Sequence, residues 1–186
     1  RINGSYLLDA LLTTDTRLRL SLITTGLACL FMAICILVVQ LLAATSLINP
    51  QCVHWWSFAS GACVLGSFAL IRSGVTRNWD DPAFTSVQMI YGITSNAAAY
   101  VIVGPGRSIT LPILAVAMMF AVFSLRRQQI KGLMLYGLLA YSVASAAVHW
   151  GLLGDPVPAS LAAVYLLIVV MVLSMTTMLS LRANTM

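Results

Sequence analysis

Apolar positions in this chain are gathered into six long runs, separated by short stretches that hold most of the charged, proline and glycine residues. The runs are Leu20–Ala44, Trp55–Ile71, Phe84–Val103, Ile109–Leu125, Gly132–Leu153 and Ala159–Leu181. Each approaches the ~20 residues that an α-helix needs to cross ~30 Å of hydrocarbon. The second and fourth are short, and span if they stand upright or the bilayer thins around them. The pattern predicts an all-α polytopic membrane protein, a bundle of six transmembrane helices.

Charge orients the bundle. Arg1, Arg17 and Arg19 precede the first run, Arg72 and Arg77 follow the second, Arg126, Arg127 and Lys131 follow the fourth, and Arg182 follows the sixth. Of the ten basic residues only Arg107 falls on the other side. The positive-inside rule therefore places both termini in the cytoplasm. Residues 1–19 read as a cytoplasmic N-terminal segment, 20–182 as the transmembrane domain, and 183–186 as the start of a cytoplasmic linker. No loop is long enough for a soluble domain, and the first run is too long for a signal-peptide core. The chain begins with Arg1 rather than Met and reads as an excerpt of something longer.

Local signals mark the helix ends. Thr14 and Asp15 stand before the first run as N-cap candidates. Asp81-Pro82 is expected to open the third helix, an acidic cap ahead of a first-turn proline, and Asp155-Pro156 with Pro158 repeats the device before the sixth. Gly104-Pro105-Gly106 breaks the chain between the third and fourth helices, and Ser108 can cap the fourth. Trp55, Trp56 and Trp150 are expected at the outer interface and Trp79 at the inner one.

Composition narrows the function. With 60% hydrophobic and 8% charged residues, a soluble fold would have too little polar surface to meet water. The net charge of +5 reads as topology and attraction to anionic inner-leaflet lipid. Its dispersal among membrane-proximal loops argues against nucleic acid. Cys29, Cys35 and Cys63 lie inside runs and Cys52 near the outer surface, where they read as small packing residues. Every acid (Asp9, Asp15, Asp80, Asp81 and Asp155) falls at a run's end or in a loop. An ion-coupled transporter usually needs an intramembrane carboxylate, and hydrolytic catalysis needs paired carboxylates or a nucleophile–base set. Neither pattern occurs, so no catalytic residues are expected in this segment.

A polar lining remains. The third run carries Gln88, Tyr91, Thr94, Ser95, Asn96 and Tyr100, with Gln88, Gly92, Ser95, Asn96 and Ala99 sharing a face. An unpaired amide in hydrocarbon costs several kcal/mol, so that face must turn inward. The fifth run adds Ser142, Ser145, Ala146 and His149 at i, i+3, i+4 and i+7. Such residues either let helices approach and bond, at ~0.6 kcal/mol per contact, or together line a cavity for a small apolar ligand. Arg107 either snorkels to water or holds an anionic or carbonyl group at the outer mouth. His54 and His149 share the outer layer and offer two weak metal or haem donors. The methionines Met171, Met175 and Met178 read as packing residues.

The middle of the chain resembles the membrane region of bacterial GGDEF-type diguanylate cyclases. The resemblance runs through Ile71-Arg72-Ser73-Gly74, Asp81-Pro82-Ala83-Phe84-Thr85, Gln88-Met89, Tyr100, Gly104-Pro105-Gly106-Arg107 and Arg126-Arg127, and extends over about Leu12 to Met186. In that family an arginine–glycine pair ends the second helix and an aspartate–proline pair starts the third. A glutamine comes within two turns, and a small-residue turn with arginine precedes the fourth. The resemblance implies a sensor or regulatory region in the bacterial cytoplasmic (inner) membrane, joined through its sixth helix to a cyclase that works as a homodimer. GTP and Mg would belong to that output domain, not to this segment. Arg72, Asp81 with Pro82, and Gln88 would set the resting geometry. Related six-helix regions also precede adenylyl cyclases and histidine kinases. A small carrier or channel, and a passive dimerising anchor, are the alternative readings.

Overall fold

The computed structural model describes residues 16–45, 48–76, 84–125 and 127–183. Among them every regular element is helical: α1 (Thr16–Ala43), α2 (Pro50–Arg72), α3 (Thr85–Ile102), a 3-10 turn (Gly104–Ile109), α4 (Thr110–Ser124), α5 (Arg127–His149) and α6 (Ala159–Ala183). By length and composition four segments are able to cross a membrane: Ser21–Ala43, Pro50–Arg72, Arg127–His149 and Ala159–Leu179. Gly104–Phe120 is a shorter apolar helix. α3 is less apolar, because Gln88, Thr94, Ser95 and Asn96 interrupt it.

The outward faces are apolar. Leu30, Leu37 and Leu41 of α1, Leu135, Leu139 and Val143 of α5, and Met171, Met175 and Met178 of α6 are all exposed. In water these faces would form continuous sticky patches. In hydrocarbon they cost nothing, while helices satisfy their own backbone. This is the surface of a multi-pass membrane protein.

Two packing units emerge. α3, α4, α6 and α5 form a ring in that order, each packed on the next, with α3 closing back on α5. Its core holds Ile93, Tyr100, Leu114, Met118, Leu133, Tyr141, Val148, Val169 and Leu173. α1 and α2 form a hairpin whose largest packing surface is their own, and the hairpin touches the ring mainly where α2 meets α3. Gln40 fastens the hairpin: its amide donates to Ser57 Oγ at 2.9 Å and faces His54 Nδ1 at 3.2 Å.

Several boundaries differ from expectation. α2 starts at Pro50, five residues before the apolar run, because Asn49 caps it: Asn49 Oδ1 accepts from the Gln51 N–H at 3.0 Å. Cys52 and His54 are therefore helical. α3 begins at Thr85, and Asp81 and Pro82, expected to open it, lie outside the described residues, as do Thr14, Asp15 and Trp79. Phe84 precedes α3 in the left-handed region, at φ 51°. A side chain there costs about 1–2 kcal/mol. Packing of the Phe84 side chain against buried Leu22 and Ile71 offsets that cost. Ser108 is not a cap but part of the 3-10 turn, and Pro158 rather than Asp155 meets α6, accepting from Leu161 N and Ala162 N.

The 3-10 turn also abuts the hairpin. A Cβ built on Gly106 would run into the side chain of Leu42. Gly106→Val is expected to lower the detergent-solubilised protein's unfolding free energy by about 1–3 kcal/mol through overpacking. Adding Leu42→Ala should restore most of that loss, as read from paired thermal melts.

Candidate functional site

A cavity of about 560 Å³ lies between the hairpin and the ring. α1 and α2 form one wall, from Ile23 to Val39 and from Trp56 to Leu70; Phe84, α3 and Ile113, Ala117 and Phe120 of α4 form the other. Among the described residues the lining is mostly aliphatic and aromatic and contains no carboxylate, imidazole or cation. It can hold an apolar molecule and offer hydrogen bonds, but it has no acid–base pair.

Four of the expected ligand-binding residues converge on it: Gln88, Tyr91, Ser95 and Asn96. Helical spacing places them on one side of α3, with Gln88 and Asn96 ~12 Å apart along the axis. Their polar groups join the walls at two levels. Near one end Gln88 Nε2 donates to Thr25 Oγ1 of α1 at 3.2 Å. Two turns further along, Ser95 Oγ and Ser60 Oγ of α2 lie 2.9 Å apart, and Trp56 Nε1 donates to the Ser95 carbonyl at 3.0 Å. Asn96 Nδ2 ties α3 to α4 through the Thr110 carbonyl at 3.0 Å.

The other five expected residues lie elsewhere. Tyr100 is buried inside the ring, edge-on to Tyr141 and Tyr165 with centroids 5.8 Å away in each case. The hydroxyls of Tyr100 and Tyr141 have no hydrogen-bond partner among the described residues. Ser145 is buried on α5 and Ser142 half-buried, and neither lines the cavity. His149 is exposed and its Nδ1 pairs with the Val157 carbonyl at 3.0 Å, closing the α5–α6 connection. His54 instead faces Gln40, so each histidine is engaged within its own helical hairpin.

Arg107 departs furthest from expectation. It is 4% exposed, neither snorkelling nor open to an outer mouth. Nε donates to the Tyr100 carbonyl at 3.1 Å and Nη2 to the Asp155 carbonyl at 2.7 Å. The guanidinium carbon lies 5.8 Å from the Tyr100 ring centroid. Arg107 thus binds the end of α3 to the α5–α6 connection. Gly154 makes the approach possible, with φ 69° and no room for a Cβ against the Val101 carbonyl. Arg72 is exposed in the last turn of α2, where a cation suits the helix dipole. Asp81 lies outside the described residues, and with it the expected cluster of Arg72, Asp81 and Gln88.

Sequence reasoning missed Thr25, Ser60 and Trp56, the hairpin's contribution to the clasps. Thr25 and Ser60 are buried hydroxyls within apolar helices, and a buried hydroxyl needs a partner. That requirement was the available signal. Trp56, read as an interfacial anchor, lines the cavity, whereas Trp55 and Trp150 are exposed. Comparison with family models, with curated proteins and with solved structures finds no match.

Arg107→Ala should destabilise the fold by about 3 kcal/mol, because two charge-assisted bonds are lost and two carbonyls stay buried. Arg107→Lys should recover only part of it, since an ammonium lacks the planar fork. Unfolding midpoints in one detergent would show the order wild type, Lys, Ala; equal midpoints for all three would remove the clamp from the account.

Proposed function

We propose that this chain is the membrane sensory or regulatory module of a bacterial signalling protein. In this reading all six helices cross the cytoplasmic membrane and both termini lie inside. Support comes from where the helices carry their charge: Arg19 at the start of α1, Arg72 at the end of α2, Arg127 and Lys131 at the start of α5, and Arg182 at the end of α6. With successive helices reversing direction, these positions share one side, and basic residues favour the cytoplasmic one.

The observation that carries the functional reading is the cavity between two packing units clasped by a few hydrogen bonds. Interhelical hydrogen bonds of this kind are worth ~0.6 kcal/mol each in a membrane. A ligand that lengthens or replaces the Gln88–Thr25 and Ser60–Ser95 contacts can therefore move the hairpin against the ring. The output changes only if the ligand binds one arrangement more tightly than the other, and tenfold needs ~1.4 kcal/mol of differential affinity. α6 packs on both α4 and α5 and runs unbroken to Ala183, which suits it to carry a shift towards the cytoplasm. The exposed stripe Met171, Met175 and Met178 suits pairing of two modules along this helix.

The four motifs shared with diguanylate-cyclase membrane regions make cyclic di-GMP synthesis the favoured output, in a homodimeric protein. Among the described residues, neither the cavity's lining nor its clasps supply a charge that would couple solute to ion movement, which places the carrier reading second. The test uses the full native protein in its own membrane. Gln88→Leu and Thr25→Val should each change cyclic di-GMP output by about tenfold, in the same direction, at unchanged expression. Unchanged output from both would leave a passive anchor, and solute uptake by the reconstituted bundle would favour a carrier.

A further inference from the structure

The ring contains a polar cluster that its apolar core does not explain. Tyr100 of α3 and Tyr141 of α5 are each 1% exposed, and Tyr100 meets both Tyr141 and Tyr165 of α6 edge-on. Ser145, one turn beyond Tyr141 on α5, and Thr110, the first residue of α4, are buried beside them. Each of the four ring helices therefore sends at least one hydroxyl-bearing side chain to this cluster.

Two of those hydroxyls are unanswered. The phenol oxygens of Tyr100 and Tyr141 are buried without a hydrogen-bond partner among the described residues. Phenylalanine would fill nearly the same space without that oxygen, and an unpaired buried hydroxyl is a cost it would not carry. Yet neither phenol stands alone. The Ser145 hydroxyl faces Tyr100 and the Thr110 hydroxyl faces Tyr141, each without direct hydrogen-bonding geometry. Facing polar groups that do not bond directly are the usual setting for a bridging water.

Donor and acceptor accounting narrows what completes the set. Thr110 Oγ1 gives its proton to the Arg107 carbonyl at 2.8 Å, so towards Tyr141 it can only accept. A molecule that both donates and accepts satisfies either pair, whichever way the phenol proton turns. The four hydroxyls are neutral. The charge beside them, the Arg107 guanidinium over the Tyr100 ring, is turned to the Tyr100 and Asp155 carbonyls. Nothing in the cluster thus calls for an ion. In an interior packed as closely as an organic crystal, the missing partner must also be small. Water meets each requirement, and buried water characteristically joins polar groups that are otherwise unsatisfied.

We propose that the ring holds ordered internal water bridging Tyr100 to Ser145 and Tyr141 to Thr110. From Tyr141 to the end of α5 at His149 the helix climbs ~12 Å. At that depth in a bilayer no bulk solvent reaches the phenols, and leaving them unpaired is costly. The assignment concerns the ring alone and is independent of any signalling output.

Thermal melts of Tyr100→Phe and Tyr141→Phe in one detergent give the sign of the effect. Loss of a water-bonded hydroxyl is expected to lower each midpoint by about 2–4 °C. Loss of an unpaired hydroxyl is neutral or stabilising, so a midpoint at or above wild type for either variant overturns the proposal. A fall by itself fits a phenol that turns to bond Ser145 or Thr110 directly. A crystal structure of the wild-type protein grown from a lipidic mesophase separates the two. Water density is expected at about 2.5–3.0 Å from both the phenol and the hydroxyl facing it. Direct phenol–hydroxyl contacts at that distance, with no density between, overturn the proposal whatever the melts show.

Discussion

A polar helix placed among apolar ones gains most by pairing its buried amides and small hydroxyls, and the arrangement of this protein stems from that demand at Gln88, Ser95 and Asn96 of α3. Leaving one such group unpaired in an apolar interior costs several kcal/mol, more than most single packing contacts return. Gln88, Ser95 and Asn96 find their partners on three different helices: Thr25 on α1, Ser60 on α2 and Thr110 on α4. Thr94 on the remaining side meets the Tyr136 hydroxyl of α5 at 2.6 Å. α3 is therefore surrounded, and the neighbours' positions are fixed by what it needs to bond.

The clasps also explain why the molecule has two packing units of unequal tightness. The ring is held by interlocking aliphatic and aromatic side chains and by Arg107, whose two bonds tie the end of α3 to the α5–α6 connection. The hairpin meets the ring through isolated hydrogen bonds and the small buried patch around Val39, Val53, Ala99 and Val103. Between those contacts lies the cavity. Ligand response and weak attachment thus share one cause, because few contacts between the units leave both space and freedom to shift.

Much of this was legible in the residues. The six apolar runs and their separators anticipated the helices, since a stretch without polar groups can bury or expose every face, and Gly-Pro-Gly cannot continue α3. The inward face of α3 was legible too, from Gln88, Ser95 and Asn96 at helical spacing. Start points were less so: Asn49 begins α2 earlier than hydropathy shows, because a cap is set by one side-chain bond. Arg107 was misread, because position relative to a turn does not reveal which carbonyls a guanidinium can reach.

The chain by itself determined what each stretch must be, because burial and backbone satisfaction are local properties of composition: helical, mostly apolar outside, with one helix obliged to face inward. It also determined the asymmetry of basic residues on which the proposed topology rests. Tertiary structure alone decided who answers whom. It split the polar residues first considered together, sending Gln88, Tyr91, Ser95 and Asn96 to the cavity and Tyr100, Arg107 and Ser145 to the ring. It also recruited Thr25 and Ser60 from apolar runs and Trp56 from the expected outer interface. Helical periodicity names the face a residue occupies but not the neighbour opposite it, and only packing supplies the neighbour.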